Sequence, residues 1–164
     1  CGLEPQAVAD GLGRFTGAAR RFEARGQVGS RRLFDDYAHH PTEVEAAIRE
    51  ARVVADGAQV TVVFQPHLYS RTRIFAERFA RALAGADHVV LAGIYGARED
   101  PEPGVDSTLI SSRVPGASYV EDMHEAARLA ASVTPEGGVC VTMGAGSITR
   151  CGDDVLEEWK RMEA

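Results

Sequence analysis

The chain has 164 residues, 45% hydrophobic and 26% charged, a balance that fits a globular domain with a sizeable core and argues against disorder. Its formal net charge of −6 argues against nucleic acid or an anionic membrane surface as partner, and no apolar run approaches the roughly 20 residues of a bilayer-spanning helix. Three widely spaced cysteines, Cys1, Cys140 and Cys151, lack metal-ligand spacing and read as free thiols of a reducing, cytoplasmic compartment.

No basic n-region or apolar h-region opens the chain, and a start at Cys1 rather than Met suggests a piece of a longer protein. Residues 4–15 predict a short helix, with Pro5 in its first turn and Ala7, Val8, Leu12 and Phe15 on one side. Strands are expected at 20–24 and 31–37, joined by a turn over 25–30. Pro41 opens a helix, because its fixed φ suits the first turn and its missing N–H is not needed there. Val44, Ala47, Ile48 and Ala51 give that helix a core-facing stripe, and Gly57 ends it.

From here strands and helices alternate. Residues 60–64 form a continuous apolar run, as expected of a strand buried on both faces. The next helix carries Ile74, Phe75, Phe79, Ala82 and Leu83. A strand follows at 88–92, then a short helix at 106–114 and a brief strand at 118–120. Asp122 is placed to cap a helix over 123–133, with Glu125 as its capping-box partner and Met123, Ala126, Ala127 and Ala130 as its buried stripe. A last strand spans 139–143, and a terminal helix spans 153–163 with Val155, Leu156, Trp159 and Met162 inward. The alternation predicts an α/β, Rossmann-like fold: an open, mostly parallel sheet with helices on both faces.

Four loops follow strands and should gather at one sheet edge, where α/β proteins bind ligands. The densest in chemistry is Asp35-Asp36-Tyr37-Ala38-His39-His40-Pro41-Thr42-Glu43, which crowds two carboxylates, a phenol and two imidazoles at a strand-to-helix junction. The second, Gln65-Pro66-His67-Leu68-Tyr69-Ser70-Arg71-Thr72-Arg73, puts guanidiniums in the first turn of a helix, where they oppose the helix dipole. Arg71 and Arg73 make sense there if an anion sits between them and the backbone amides; the alternative is pairing with surface carboxylates such as Glu77. The third is Ile94-Tyr95-Gly96-Ala97-Arg98-Glu99. The fourth, Met143-Gly144-Ala145-Gly146-Ser147-Ile148, is either an anion-binding nest at Gly144 and Gly146 or a tight turn, and it lacks the third glycine of a dinucleotide fingerprint. Two adjacent histidines on a short loop seldom chelate one ion, so no metal is assigned to His39 and His40. His88 and His124 read as surface or strand-edge residues.

Together these loops, with Phe15-Thr16-Gly17-Ala18-Ala19-Arg20-Arg21-Phe22-Glu23, resemble the hinge and C-terminal domain of the Mur ligase family, in its branch that joins L-alanine to UDP-N-acetylmuramate. The resemblance implies an ATP- and Mg2+-dependent ligase that makes an acyl phosphate and then an amide in peptidoglycan precursor synthesis. It also implies that residues 1–25 connect to a missing ATP-binding domain and that 26–164 are the C-terminal Rossmann-like domain. The sequence contains no G-x-x-x-x-G-K-[ST], so the principal ATP and Mg2+ sites would lie in absent domains. By position, Arg21 would reach the nucleotide and Asp36 would hold the ribose. Tyr37, His39, His67 and Arg71 would line the amino-acid and γ-phosphate side, with His39, His67 and Arg71 catalytic and Arg71 on the L-alanine carboxylate. Leu68 stands where an arginine is common in the family, leaving a second carboxylate contact missing or supplied by Arg73. Ser147 replaces a usual aspartate or asparagine. A related ligase that recycles a murein tripeptide shares most motifs, but Tyr37 and Thr42-Glu43 favour the alanine branch. The chain would be inactive alone, a binding module without turnover.

Overall fold

The two most apolar runs, Val60–Phe64 (β3) and Val139–Met143 (β6), are buried at every position and pair in parallel at the centre of the sheet. In this computed structural model the described residues are Glu4, Gln6, Ala9, Asp10 and 19–164, so the helix expected over 4–15 lies largely outside them. Six strands follow the order β1-β2-β6-β3-β4-β5, with β1 at Glu23–Val28, β2 at Arg31–Asp36, β4 at His88–Leu91 and β5 at Ser118–Tyr119. Every neighbouring pair is parallel except β1 and β2. The mostly parallel open sheet is the one the alternating pattern predicts.

The first hairpin differs from the expected boundaries. β1 continues through Val28, where sequence composition suggested a turn, and only Gly29 and Ser30 are left to reverse the chain. Its residues are mostly exposed because it is an antiparallel edge strand, and such strands carry polar side chains on the wet face. The register shifts between Ala24 and Gly26, leaving Arg25 as the extra residue of a bulge.

Helices cover both faces. On one side α1 (Pro41–Ala55), α2 (Tyr69–Leu83) and the short α3 (Thr108–Ser111) bury Val44, Ile48, Phe79, Leu83 and Ile110 against Val60, Val62 and Phe64. On the other, α4 (Met123–Val133) and α5 (Gly152–Glu163) bury Ala126, Ala130, Val155 and Trp159 against Leu33, Val63 and Val90. Successive strand residues thus feed opposite cores, as the two-residue repeat requires. The stripe of α4 is alanine at Ala126, Ala127, Ala130 and Ala131, so this helix can lie close to the sheet.

Two apolar positions expected inward are not. Ile74 is 63% exposed because the buried face of α2 runs through Thr72, Ala76, Phe79 and Leu83. Met162 is 46% exposed in the last turn of α5. Asp122 caps α4 as expected, accepting the amides of His124 and Glu125 at 2.9 Å each. The reciprocal half of that box is not formed at Glu125 among the described residues; it occurs at α1, where Glu43 accepts the amides of His39 and His40 at 3.1 Å.

The chain leaves β2 through α1, skips one position to β3, steps outward to β4 and β5, then returns through α4 to place β6 in the gap. The loops after β2, β6, β3 and β4 therefore stand side by side at the carboxyl edge, around the point where strand order reverses.

Candidate functional site

Asp36 ends β2 with a buried carboxylate. One oxygen accepts the Ala38 amide at 2.7 Å and the other the Phe22 amide at 2.8 Å. Burial pushes its pKa up, against the lowering effect of those two amides and of Arg21. Asp36 therefore ties the segment before β1 to the start of the loop, with its remaining lone pairs available to a hydroxyl donor. Tyr37 turns outward, 38% exposed. His39 Nδ1 lies 2.9 Å from the Tyr37 carbonyl, which can only accept, so Nδ1 is a donor and Nε2 is the nitrogen that holds the lone pair whenever the ring is neutral. Burial alone would raise Glu43, but the amides of His39 and His40 and the charges of His39 and Arg21 outweigh it and hold its pKa below the usual range. His40 packs its ring edge-on against Phe75, so the rings of the adjacent histidines face different aromatic neighbours.

The loop after β3 meets this one through its rings. Tyr37 and His39 centroids are 5.2 Å apart, His39 and His67 5.8 Å, and His67 and Tyr95 5.7 Å, forming a row of four aromatic rings across three loops. Arg71 Nη1 is 3.4 Å from His67 Nδ1, and an arginine only donates, so His67 accepts there and carries its proton on Nε2. Burial lowers the His67 pKa, and the neighbouring charges of Arg71 and His39 lower it further, leaving a neutral ring at pH 7. Leu68, at φ +72, is a left-handed non-glycine residue at the entry to α2, a conformation that stores about 1–3 kcal/mol of strain. It is held by its amide on the Tyr95 carbonyl at 2.9 Å and by its own carbonyl, which accepts from the Thr72 amide and hydroxyl. Glu99 accepts the Ser70 amide and hydroxyl, so a carboxylate from the third loop caps the helix that carries Arg71.

The glycine turn after β6 is close to both. A Cβ on Gly146 would lie 2.5 Å from Gln65 Oε1 and 2.6 Å from Tyr95 Cγ, and Gly144 combines φ +148 with a gap of 2.7 Å to the Gln65 carbonyl. Only glycine fits either position. Among the described residues, the amides of Ala145 and Gly146 have no protein acceptor, which leaves them as donors at the sheet edge. A cleft of ≈ 500 Å³ adjoins the turn, lined by Gln65, Gly93, Ile94, Glu121, Asp122 and Met123 among others. A groove of ≈ 510 Å³ between α1 and α2 has none of the four rings in its lining.

Of the residues singled out from sequence, Asp36, Tyr37, His39, His67, Arg71, Gly144 and Gly146 gather at this edge. Arg21 is exposed, near enough to Asp36 and Glu43 to act on both charges. Arg73 points its guanidinium to Glu102, 2.9 Å away, outside the row of rings. Sequence reasoning passed over three contributors. Arg20, at φ +57, pairs with buried Asp35 at 2.9 Å, donates to the Gly144 carbonyl at 2.6 Å and lies 4.9 Å from the Tyr37 ring centre. Tyr95 and Glu99 complete the site from the third loop. Their signal was position after a strand; Arg20 gave none, because its partners are over 100 residues away or across a hairpin.

The sequence profile described as "Mur ligase, glutamate ligase domain" matches residues 20–146. The chain is 51% identical over 159 residues to UDP-N-acetylmuramate–L-alanine ligase of Kineococcus radiotolerans, covering 94% of this chain and 34% of that protein. It is 46% identical over 166 residues to the protein of the same name from Thermobifida fusca, covering 95% and 35%. The chain thus spans about a third of the length of these relatives. Among solved structures, UDP-N-acetylmuramate–alanine ligase of Thermotoga maritima superposes with a TM-score of 0.71 at 26% identity, over 95% of this chain and 36% of that one. A murein peptide ligase of Psychrobacter arcticus gives the same TM-score at 18% identity over 96% and 33%, a likeness of fold alone. With a family profile matched across most of its length, and half of its residues shared with relatives over nearly all of it, the chain belongs to the Mur ligase family, as its glutamate ligase domain.

Proposed function

We propose that residues 26–164 are the amino-acid-binding C-terminal domain of an ATP-dependent ligase joining L-alanine to UDP-N-acetylmuramate, and that 1–25 lead to the domain holding ATP and Mg2+. In that reaction a carboxylate of the nucleotide sugar takes the γ-phosphoryl group of ATP, giving an acyl phosphate and ADP. The L-alanine amine then attacks the acyl carbon, phosphate leaves, and the nitrogen loses a proton. The observation that carries this reading is the convergence of His39, His67 and Arg71 beside Tyr37 at one sheet edge.

The protonation pattern divides the work. Arg71 is the cation for the L-alanine carboxylate, with Arg73 reaching it only if the Glu102 pair opens. His67, neutral with its proton on Nε2, donates toward an anion such as the transferred phosphoryl group. In its neutral form His39 offers the Nε2 lone pair that can take the ammonium proton before attack. The open amides of the Gly144–Gly146 turn add donors for the same anion, and Arg21 and Asp36 are assigned to the nucleotide phosphate and ribose. The sequence has no G-x-x-x-x-G-K-[ST] to carry the triphosphate, so these residues act by positioning and charge stabilisation once closed on the ATP domain. In the full-length enzyme, Arg71→Ala should raise the KM for L-alanine at least tenfold more than the KM for ATP, about 1.4 kcal/mol of selective binding loss. Steady-state ligation assays read both, and equal effects would remove Arg71 from the carboxylate site.

A further inference from the structure

The molecule has a second convergence of reactive side chains, on the face covered by α4 and α5. His124 lies in the first turn of α4; Cys151 closes the 3-10 turn at Ser147–Cys151; and Asp154 sits one helical turn later, at i+3 on the same face. His124 Nδ1 is 2.7 Å from Asp154 Oδ2 and 3.8 Å from Cys151 Sγ, and the three ligand atoms lie within 4.8 Å of one another. Both acidic partners therefore approach the same ring nitrogen. We infer that His124, Cys151 and Asp154 form a binding site for a borderline-soft divalent metal of the zinc class, with a fourth position open to water.

The donor set suits such an ion: imidazole nitrogen, thiolate sulfur and one carboxylate oxygen are the ligand types zinc takes. Tetrahedral zinc with bonds of roughly 2.0–2.3 Å needs ligand atoms about 3.4–3.6 Å apart, so the N···S spacing nearly fits already and the N···O spacing must open by about 0.7 Å. His124 is a side chain 44% exposed, which gives an ion a path along the ring to the buried sulfur. Without metal, the Nδ1 proton occupies the place the ion would take and donates to Asp154. Arg128 holds the other carboxylate oxygen at 3.1 Å, which orients Asp154 but also sets a cation against the incoming one. Burial pushes the Cys151 thiol up to about 12, with Asp154 and Asp122 adding to it and Arg128 opposing, so binding must expel the thiol proton. The ion would bridge two helices of one core and stabilise the folded state by mass action.

Cobalt(II) titration of the 164-residue chain, followed by visible and near-ultraviolet absorption, tests the site. One equivalent should give a thiolate-to-cobalt charge-transfer band with the intense visible bands of a tetrahedral ion, and zinc should displace it. His124→Ala and Cys151→Ser should each weaken binding at least tenfold, Cys151→Ser with loss of the charge-transfer band; Asp154→Asn should weaken it too. Should Cys151→Ser fold poorly, the half-exposed His124 keeps the idea testable. Absence of a charge-transfer band, or a band that survives Cys151→Ser but not Cys1→Ser, would overturn the assignment.

Discussion

At the scale of single residues, the site depends on groups whose protonation is set by their neighbours. Desolvation and the charges of Arg71 and His39 lower the pKa of His67 below its ordinary value of 6.5. The unfolded chain therefore binds a proton more readily than the folded one. The stability this ring contributes is complete above pH 6.5 and is lost as the pH falls through the lowered folded pKa. An NMR titration of the His67 ring should give a midpoint below 6.5, and Arg71→Ala should raise it only part of the way, since burial is the larger cause. A midpoint at or above 6.5 would remove the neutral donor assigned here. Asp35 acts structurally: fully buried, it receives Arg20 Nε at 2.9 Å and the hydroxyls of Thr142 at 2.7 Å and Thr149 at 2.9 Å. Removing one member of a buried ion pair is costly, and because Arg20 keeps some contact with water, Asp35→Ala should cost roughly 3 kcal/mol. The urea midpoint of the chain measures this, and an unchanged midpoint would show that the clamp contributes nothing.

At the scale of elements, the row of rings is held by loops that brace one another. Glu99 of the third loop caps α2, the Tyr95 carbonyl fixes Leu68, and Gln65 Oε1 accepts the Ile148 amide at 3.1 Å. Behind the sheet, Trp159 plays the corresponding part for α5. It is fully buried and donates its indole N–H to the Ala131 carbonyl at 3.0 Å, joining α5 to α4 over a stripe of alanines that cannot fill a large void. Trp159→Ala should destabilise the chain by about 3–5 kcal/mol, read as a lower denaturant midpoint. Backbone amide exchange should rise first in α4 and α5. If α1 and α2 loosened equally, the two cores would have to be regarded as one cooperative layer.

At the scale of the whole molecule, the described residues present the proposed site as one edge of a sheet. The sequence lacks a phosphate-binding loop and spans about a third of its relatives' length. The 164-residue polypeptide by itself should therefore unfold cooperatively yet release no phosphate from ATP above background, even with L-alanine and UDP-N-acetylmuramate present. A phosphate-release assay checks this, and turnover would overturn the division of labour proposed here. Much of the architecture could be read from local pattern. The continuous apolar runs at 60–64 and 139–143, the stripe of α1 and the Asp122 cap depend on neighbours near in sequence, and all recur in the structure. The edge strand β1 could not be read this way, because its polar residues become a strand only by pairing with β2. Sequence alone also determined which loops carry chemistry, since strand-to-helix order places them all at one edge. Only tertiary structure decided that Arg73 faces Glu102 while Arg71 faces His67, that Arg20 reaches the glycine turn from ahead of β1, and that His124 meets Cys151 and Asp154. Those are contacts between side chains brought together by sheet order and helix packing, and spacing along the chain carries no record of them.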